Sequence, residues 1–245
     1  MQIKLVLASV FFFIANVFIG CGDSSTTASN DTTESSTSTI TTSSDSHQSN
    51  SSVEIGDSNL AIPCKTETED KCKYGVLVDN RDSQSYKTVK IANQWWMGEN
   101  LAYEAADSYC LNNVDANCAK YGRLYTWNAA VKACPSGWHL PQKSEFKTLF
   151  ATIGSESQAG KMLETTHGWL KDGYGTDSYG FSALSGGLRY GNGDFDNEGM
   201  YAYFWTATEE NSNAAYSIDL YYSRASAYLG SDYKTYAFSV RCVKD

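Results

Sequence analysis

Histidine is scarce in this chain. Of 245 residues only His47, His139 and His167 carry an imidazole. No zinc-ligand spacing and no Ser-His-Asp grouping can be assembled from them, which removes two common hydrolytic chemistries. Proline is as rare, at Pro63, Pro135 and Pro141. Basic runs are missing too. Lys and Arg number 19 against 28 Asp and Glu, a net charge of −9, and no positive stripe is present. Such a balance excludes nucleic acid as a partner. Long apolar runs are limited to one, from Leu5 to Ile19, broken by Ser9 and Asn16. It falls short of the roughly 20 apolar residues of a spanning helix.

That single run has the form of a leader. A basic start, Met1-Gln2-Ile3-Lys4, precedes it, and Val17-Phe18-Ile19-Gly20-Cys21 follows. The order resembles a bacterial lipobox, with a small residue before the cysteine that takes the lipid. Residues 1–20 are therefore expected to be a lipoprotein signal peptide and Cys21 the lipid attachment. This places the chain in the bacterial cell envelope, tied to the outer membrane or exposed at the cell surface, with the lipid as its only membrane contact.

From Gly22 to Ser52, 20 of 31 residues are Ser or Thr. The stretch has no aromatic, lysine or arginine, so it cannot bury enough surface to offset its ordering entropy. Residues 21–52 read as a disordered tether, and 53–245 as one domain.

Seven cysteines are present, and setting Cys21 aside leaves six. An even number in an exported chain argues for disulfides, though six cysteines allow 15 connectivities. Cys64 with Cys72 and Cys110 with Cys118 share one short spacing and can act as local staples. Cys134 and Cys242 would then be left to close a loop of more than a hundred residues.

Periodicity gives an α+β pattern. Thr126 stands where it can cap a helix from Trp127 to about Ala133. A second helix follows Pro141, with Phe146, Leu149, Phe150 and Ile153 at i, i+3, i+4 and i+7 and Glu145 in the capping-box place. A third holds Ala159, Met162 and Leu163. Tyr86 to Ile91 and Gln94 to Met97 flank Ala92-Asn93 as a hairpin. Two further strands alternate: Tyr216, Ile218, Leu220 and Tyr222 against Ser217, Asp219 and Tyr221, and Tyr236, Phe238, Val240 and Cys242 against Ala237, Ser239 and Arg241. From Gly168 to Gly199, with nine of the 19 glycines, the chain reads as loop.

Five stretches together carry a resemblance. They are Tyr86 to Leu101 (YKTVKIANQWWMGENL), Cys118 to Trp127 (CAKYGRLYTW), Ala133 to Pro141 (ACPSGWHLP), Tyr203 to Glu209 (YFWTATE) and Ser239 to Val243 (SVRCV). In this order and spacing, over residues 74–244, the chain resembles the Fibrobacter succinogenes major paralogous domain. That family is similar to the formylglycine-generating sulfatase-modifying enzymes and, more remotely, to C-type lectins. The resemblance implies a C-type-lectin-like α+β fold with few helices, a mostly antiparallel sheet and long irregular loops, on bacterial surface proteins. It implies no reaction.

The relatives' activities do not carry over. Formylglycine-generating enzymes use a cysteine pair upstream of a terminal Phe-Arg-Cys to bind copper. Val240-Arg241-Cys242 matches the terminal motif, but no cysteine lies between Phe204 and Arg241. A soft copper site needs those thiolates, so no enzyme activity and no cofactor are expected. Calcium-dependent lectins rest on a Glu-Pro-Asn or Gln-Pro-Asp loop and a Trp-Asn-Asp strand. The three prolines lie elsewhere, and Trp205 is followed by Thr206-Ala207. Asn192, Asp194 and Asp196 begin like an EF-hand loop, yet the position of the closing Glu falls on Tyr203. They form at most a weak metal site.

Aromatic residues remain, with 17 Tyr and 6 Trp. Trp95 and Trp96 are adjacent in a strand and face opposite sides, with Trp96 the core residue of the two. An exposed ring can stack on a sugar. Trp95, Tyr174, Tyr190 and Tyr201 are the candidate ligand-binding residues. Glu209, Glu210 and Asp219 could pair as acids, a signal any acidic domain gives. The expected function is non-catalytic binding or adhesion at the cell surface. A glycan or plant polysaccharide is the favoured partner. A structural or protein–protein module of an envelope assembly is the alternative, and an uncharacterised enzyme ranks after it.

Overall fold

Two sheets of unequal size divide the domain, as described by a computed structural model for residues 60–245 apart from Tyr174, with backbone only at Asp172. The leader, Cys21, the Ser/Thr-rich segment and Tyr174 lie outside the described residues. The strands and α-helices follow in chain order: β1 (Tyr74–Val78), β2 (Ser85–Ile91), β3 (Gln94–Met97), β4 (Ser108–Tyr109), α1 (Asp115–Tyr121), β5 (Leu124–Thr126), α2 (Trp127–Ala130), β6 (Trp138–His139), α3 (Lys143–Thr152), α4 (Glu156–Leu163), β7 (Gly186–Arg189), β8 (Phe195–Glu198), β9 (Tyr201–Glu209), β10 (Ala214–Tyr221), β11 (Ala227–Tyr233), β12 (Ala237–Phe238) and β13 (Val243–Lys244). The smaller sheet runs β1-β2-β3-β13-β6. The larger runs β11-β10-β9-β7-β12-β5-β4, with β8 paired to β7. All named pairings are antiparallel except that of β7 with β9. The protein is an α+β domain with few helices, mostly antiparallel sheets and three disulfides.

Local chemistry accounts for the main elements. The β2–β3 hairpin turns at Ala92-Asn93, where Ala92 takes φ 50° as a tight hairpin turn requires. In α3 the predicted stripe of Phe146, Leu149, Phe150 and the following Ile153 is buried. Its N-terminus is closed by two side chains. Glu145 accepts the Gln142 N–H at 2.7 Å, and Thr208 of β9 accepts the Lys143 N–H at 3.0 Å. Gln142 completes a capping box with Glu145, and the β9 hydroxyl adds a further acceptor while donating to the Gln142 side chain at 2.7 Å. α4 lies directly on the loop before β11. A Cβ at Gly160 would stand 2.6 Å from the Ser226 carbonyl oxygen.

Disulfides join Cys64 to Cys72, Cys110 to Cys118 and Cys134 to Cys242. The second staples α1, a helix with no apolar periodicity in the sequence, to the turn before it.

Three expectations need correction. The Gly168–Gly199 stretch is not all loop, since it carries the β7–β8 hairpin. Gly187 makes this possible. Its φ is +60°, and a Cβ there would meet the Asp196 carbonyl oxygen at 2.2 Å. The C-terminal run is also not a half-buried strand. Every residue from Ala237 to Val243 is buried, including Ser239 and Arg241. The chain passes from β12 in one sheet to β13 in the other between the two cores, so both of its faces are covered. The helix expected from Trp127 to Ala133 is α2 alone, ending at Ala130, followed by a turn.

The core lies in two main parts. One packs Trp96, Phe146, Phe150, Phe181, Phe204, Ile218 and Leu220 beneath α3 and α4. The other packs Tyr125, Trp127, Trp205, Phe238 and Val240. Trp96 meets Phe146 at 5.1 Å and Phe181 at 5.9 Å between ring centroids. Such pairs add about 0.5–1.5 kcal/mol beyond the area they bury.

One buried group works against this core. Glu164, at the end of α4, is fully buried, and neither carboxyl oxygen has a hydrogen-bond partner among the described residues. Burial pushes its pKa from 4.5 up to about 8. Below pH 4.5 the carboxyl is protonated in folded and unfolded chains alike. Above it the unfolded chain releases the proton and the folded chain keeps it. Stability therefore falls by about 1.4 kcal/mol per pH unit until pH 8. Glu164→Gln is expected to remove that slope. Its gain over the parent should grow from pH 5 to pH 8 and reach roughly 2–3 kcal/mol once the cost of burying an amide is subtracted. Urea unfolding at both pH values checks this. Parallel profiles for the two proteins would show that Glu164 is not held neutral.

Candidate functional site: a tyrosine face on the larger sheet

The face is built by strand alternation. On β9, Ala202 and Phe204 turn into the core, so Tyr201, Tyr203 and Trp205 share the opposite side. The register places Tyr221 opposite Tyr201, Asp219 opposite Tyr203 and Ser217 opposite Trp205. One strand further, Tyr228 stands opposite Asp219, Gly230 opposite Ser217 and Asp232 opposite Ala215. Three strands therefore present tyrosines, two aspartates, a serine and a glycine on one surface.

The rings form a continuous row. Centroid separations are 4.3 Å from Trp205 to Phe238, 4.9 Å from Phe238 to Tyr203, 5.2 Å from Tyr203 to Tyr201 and 4.4 Å from Tyr201 to Tyr221. Trp205 and Phe238 are fully buried and fix one end, where the Trp205 indole donates to the Tyr125 carbonyl at 2.8 Å. Tyr201, Tyr203 and Tyr221 are half-buried, so the row rises from core to surface. Tyr190 meets Tyr236 at 5.2 Å, and Tyr236 meets Phe238 at 6.4 Å, which extends the face toward β7. Gly230 is needed for the far side. A Cβ there would fall 2.5 Å from Cε1 of Tyr228, whose ring lies over the glycine. A concavity of about 500 Å³ continues the face past Asp232, bounded by Tyr233, Tyr236, Asn211, Asn213 and Glu210.

Electrostatics mark the same place. Burial, and then the charge of Asp232, raise the Asp219 pKa to about 6. Burial also raises Asp232, although the Ser217 hydroxyl donates to it at 2.6 Å. The Tyr203 hydroxyl accepts from Asn197 at 3.1 Å. Its pKa is held far above the usual phenol value by burial, then by Asp219, Tyr201, Asp232 and Tyr190. Tyr201 is raised by burial and by Tyr221. Such phenols stay neutral at any physiological pH. They can offer a ring face and a hydroxyl, but no nucleophilic oxyanion.

Of the four aromatic candidates, Tyr190 and Tyr201 belong to this face. Trp95 does not, because it lies on β3 of the smaller sheet, half-buried, with the Lys73 ammonium 6.0 Å from its ring centroid. Tyr174 lies outside the described residues. The weak metal candidates are engaged with their own turn. Asn192 donates to Asp194 at 2.7 Å and accepts from its N–H at 3.1 Å, while Asp196 accepts from the Asn197 N–H at 2.7 Å. Among the described residues no group of three or more His, Cys, Asp or Glu is placed to hold a metal ion. Glu209, opposite Ala215, accepts from Lys234 at 2.9 Å and Glu210 borders the concavity, so Asp219 is the one member of that acidic set with a tyrosine as cross-strand partner on each side.

His139 lies on β6 of the smaller sheet. Its Nδ1 is 2.6 Å from Asp245 and its Nε2 is 3.1 Å from Glu145. Burial opposes its charge, but these two carboxylates raise its pKa overall. It fastens β13 to the start of α3.

Sequence reasoning missed Tyr203, Tyr221, Tyr228, Tyr236 and Asp232 as parts of one site. The signal was present in the alternation Ser217, Asp219, Tyr221, which marks one face of a strand whose other face is apolar.

Residues 89–244, which include every residue of this face, match the family model described as the Fibrobacter succinogenes major domain. No curated protein and no solved structure matches the chain. By a match over more than half of its length, the chain belongs to the Fibrobacter succinogenes major domain family.

Proposed function

We propose that the protein is a non-catalytic, lipid-anchored module of the bacterial cell surface that binds polysaccharide through its tyrosine face. The observation that carries this reading is the row of rings Tyr221–Tyr201–Tyr203–Phe238, contributed by three strands to one surface of the larger sheet. Sugar rings present flat C–H faces, and aromatic rings backed by a rigid sheet bind them without a large ordering cost. Half-buried Asp219, Asp232 and Asn197 beside the rings supply acceptors and donors for sugar hydroxyls. The arrangement suits a C-type-lectin-like scaffold whose sugar contacts need no calcium.

Retention on cellulose, on xylan and on a glycan array tests the reading. Binding to at least one polymer is the expected result. Indifference to all of them, together with co-purification of other envelope proteins, would favour a protein–protein module instead. The anchor has a separate test. Cys21→Ser is expected to move the protein from the membrane fraction to the soluble fraction, and continued membrane retention would refute lipidation.

A further inference from the structure

We infer that the tyrosine face selects a cationic polysaccharide, one built from amino sugars with free ammonium groups, over neutral glycans. The inference rests on the polysaccharide reading above and specifies its ligand class. Three features on the face point the same way.

First, Asp219 stands on β10 between Tyr203 and Tyr228, its cross-strand partners on either side. Tyr203 is stacked between Tyr201 and Phe238, so the ring open to an ammonium bound at the carboxylate is the exposed Tyr228. Ring and carboxylate attract a cation together, since the ring quadrupole is negative above its face.

Second, neither Asp219 nor Asp232 forms an ion pair among the described residues. Each is half-buried, and Asp219 also feels the charge of Asp232. A ligand cation would offset both burdens, whereas a neutral hydroxyl offsets neither charge. Anionic polymers would be repelled by the same pair and by a chain of net charge −9.

Third, the protein already places a cation at this edge. The Arg224 guanidinium lies 5.2 Å from the Tyr221 ring centroid, and its charge acts on both Asp219 and Tyr201. Arg224 is exposed, so an incoming ammonium can displace it at little cost. A β-linked amino-sugar chain also brings a flat ring with each charge, which the ring row can stack.

Titration calorimetry with the purified protein separates the possibilities. The probes are a β-1,4 glucosamine oligomer, its fully N-acetylated counterpart, a glucose oligomer of the same length and a lysine oligomer of similar charge. The glucosamine oligomer is expected to bind about tenfold or more tightly than the two neutral sugars and than the lysine oligomer. Asp219→Asn with Asp232→Asn is expected to abolish that preference, so that charged and acetylated oligomers bind alike. Equal binding of all three sugars in the parent overturns this inference and leaves the polysaccharide reading standing. Equal binding of the glucosamine and lysine oligomers overturns it in favour of attraction by net charge alone. A preference that survives the double substitution places the cation elsewhere and overturns it too. No binding of any sugar overturns the polysaccharide reading, and this inference with it.

Discussion

Arg241→Met is expected to cost the domain about 3–5 kcal/mol, enough to unfold it if its total stability lies at the low end of the usual range. The guanidinium is fully buried. Its Nε donates to Asn100 Oδ1 at 2.6 Å, one terminal nitrogen to the carbonyls of Met97, at 3.0 Å, and Phe181, and the other to the Ser182 carbonyl at 2.8 Å. Two chain segments, at Met97 to Asn100 and Phe181 to Ser182, are tied to one side chain. Its hydrogen-bond partners are all neutral oxygens, so the charge is dispersed over dipoles, with the negative charges of buried Asp177 and of Glu99 acting on it from beyond them. Burial lowers its pKa to about 9, which still leaves it charged at neutral pH. Methionine fills much of the volume and offers no donor, so four acceptors would lose their partner in a site closed to water. Lysine has three donors but no planar fork. Arg241→Lys is expected to recover less than half of the loss. Urea unfolding of both variants measures this. A loss under 1 kcal/mol for Arg241→Met would mean that the surrounding carbonyls find other partners and that the buried arginine does not organise the junction.

The second large effect concerns the neighbouring residue. The bond between Cys134 and Cys242 spans 108 residues, and the other two span 8 each. In the chain-entropy model a closure of that length contributes about 4.7 kcal/mol, and a short one roughly 2.5 kcal/mol. Replacing Cys134 and Cys242 together by alanine should therefore lower stability by more than either of the other two double replacements. The margin should be on the order of 2 kcal/mol, seen as the largest drop in thermal midpoint of the three. Equal losses would indicate that the unfolded chain stays compact without the long closure. Cys242 is fully buried beside Arg241, so both predictions probe one place. There the chain crosses from the larger sheet to the smaller, held by a bond on one side and a hydrogen-bonded cation on the other.

Much of this scaffold is legible in the sequence. Two cysteine gaps of eight residues suggest local staples, and the apolar spacing of Phe146, Leu149, Phe150 and Ile153 marks α3 without help. The hairpin at Ala92-Asn93 follows from two runs of strand formers around a two-residue turn. The failures have physical causes. The Gly168–Gly199 stretch hides a hairpin because glycine lowers strand propensity, while here Gly187 provides the left-handed backbone that a bend beside Asp196 needs. The run from Ala237 to Val243 alternates in polarity yet is buried throughout, since Arg241 and Ser239 are satisfied by groups far away in sequence. α1 lacks an apolar stripe because it buries only Tyr121, and the Cys110–Cys118 bond ties the rest of it to the turn before.

The site was legible in half. Tyr190 and Tyr201 stand out as aromatics in a glycine-rich region, and both lie on the face. Tyr203 and Tyr221 join it through register, because Tyr201 opposes Tyr221 and Tyr203 opposes Asp219. Register between strands is a tertiary fact that single-strand alternation cannot supply. Trp95 shows the converse. Its place beside Trp96 predicts opposite faces, but not that its face belongs to the smaller sheet.

The most direct test of the tyrosine face compares three purified proteins on the polymer that best retains the parent. Affinity gel electrophoresis of Tyr201→Ala with Tyr221→Ala, of Trp95→Ala and of the parent gives relative dissociation constants. Loss of two stacking rings should weaken binding at least tenfold, about 1.4 kcal/mol or more, while Trp95→Ala binds as the parent does. Parent-like binding by the double tyrosine variant, with loss in Trp95→Ala, would contradict the account and move the site to the smaller sheet.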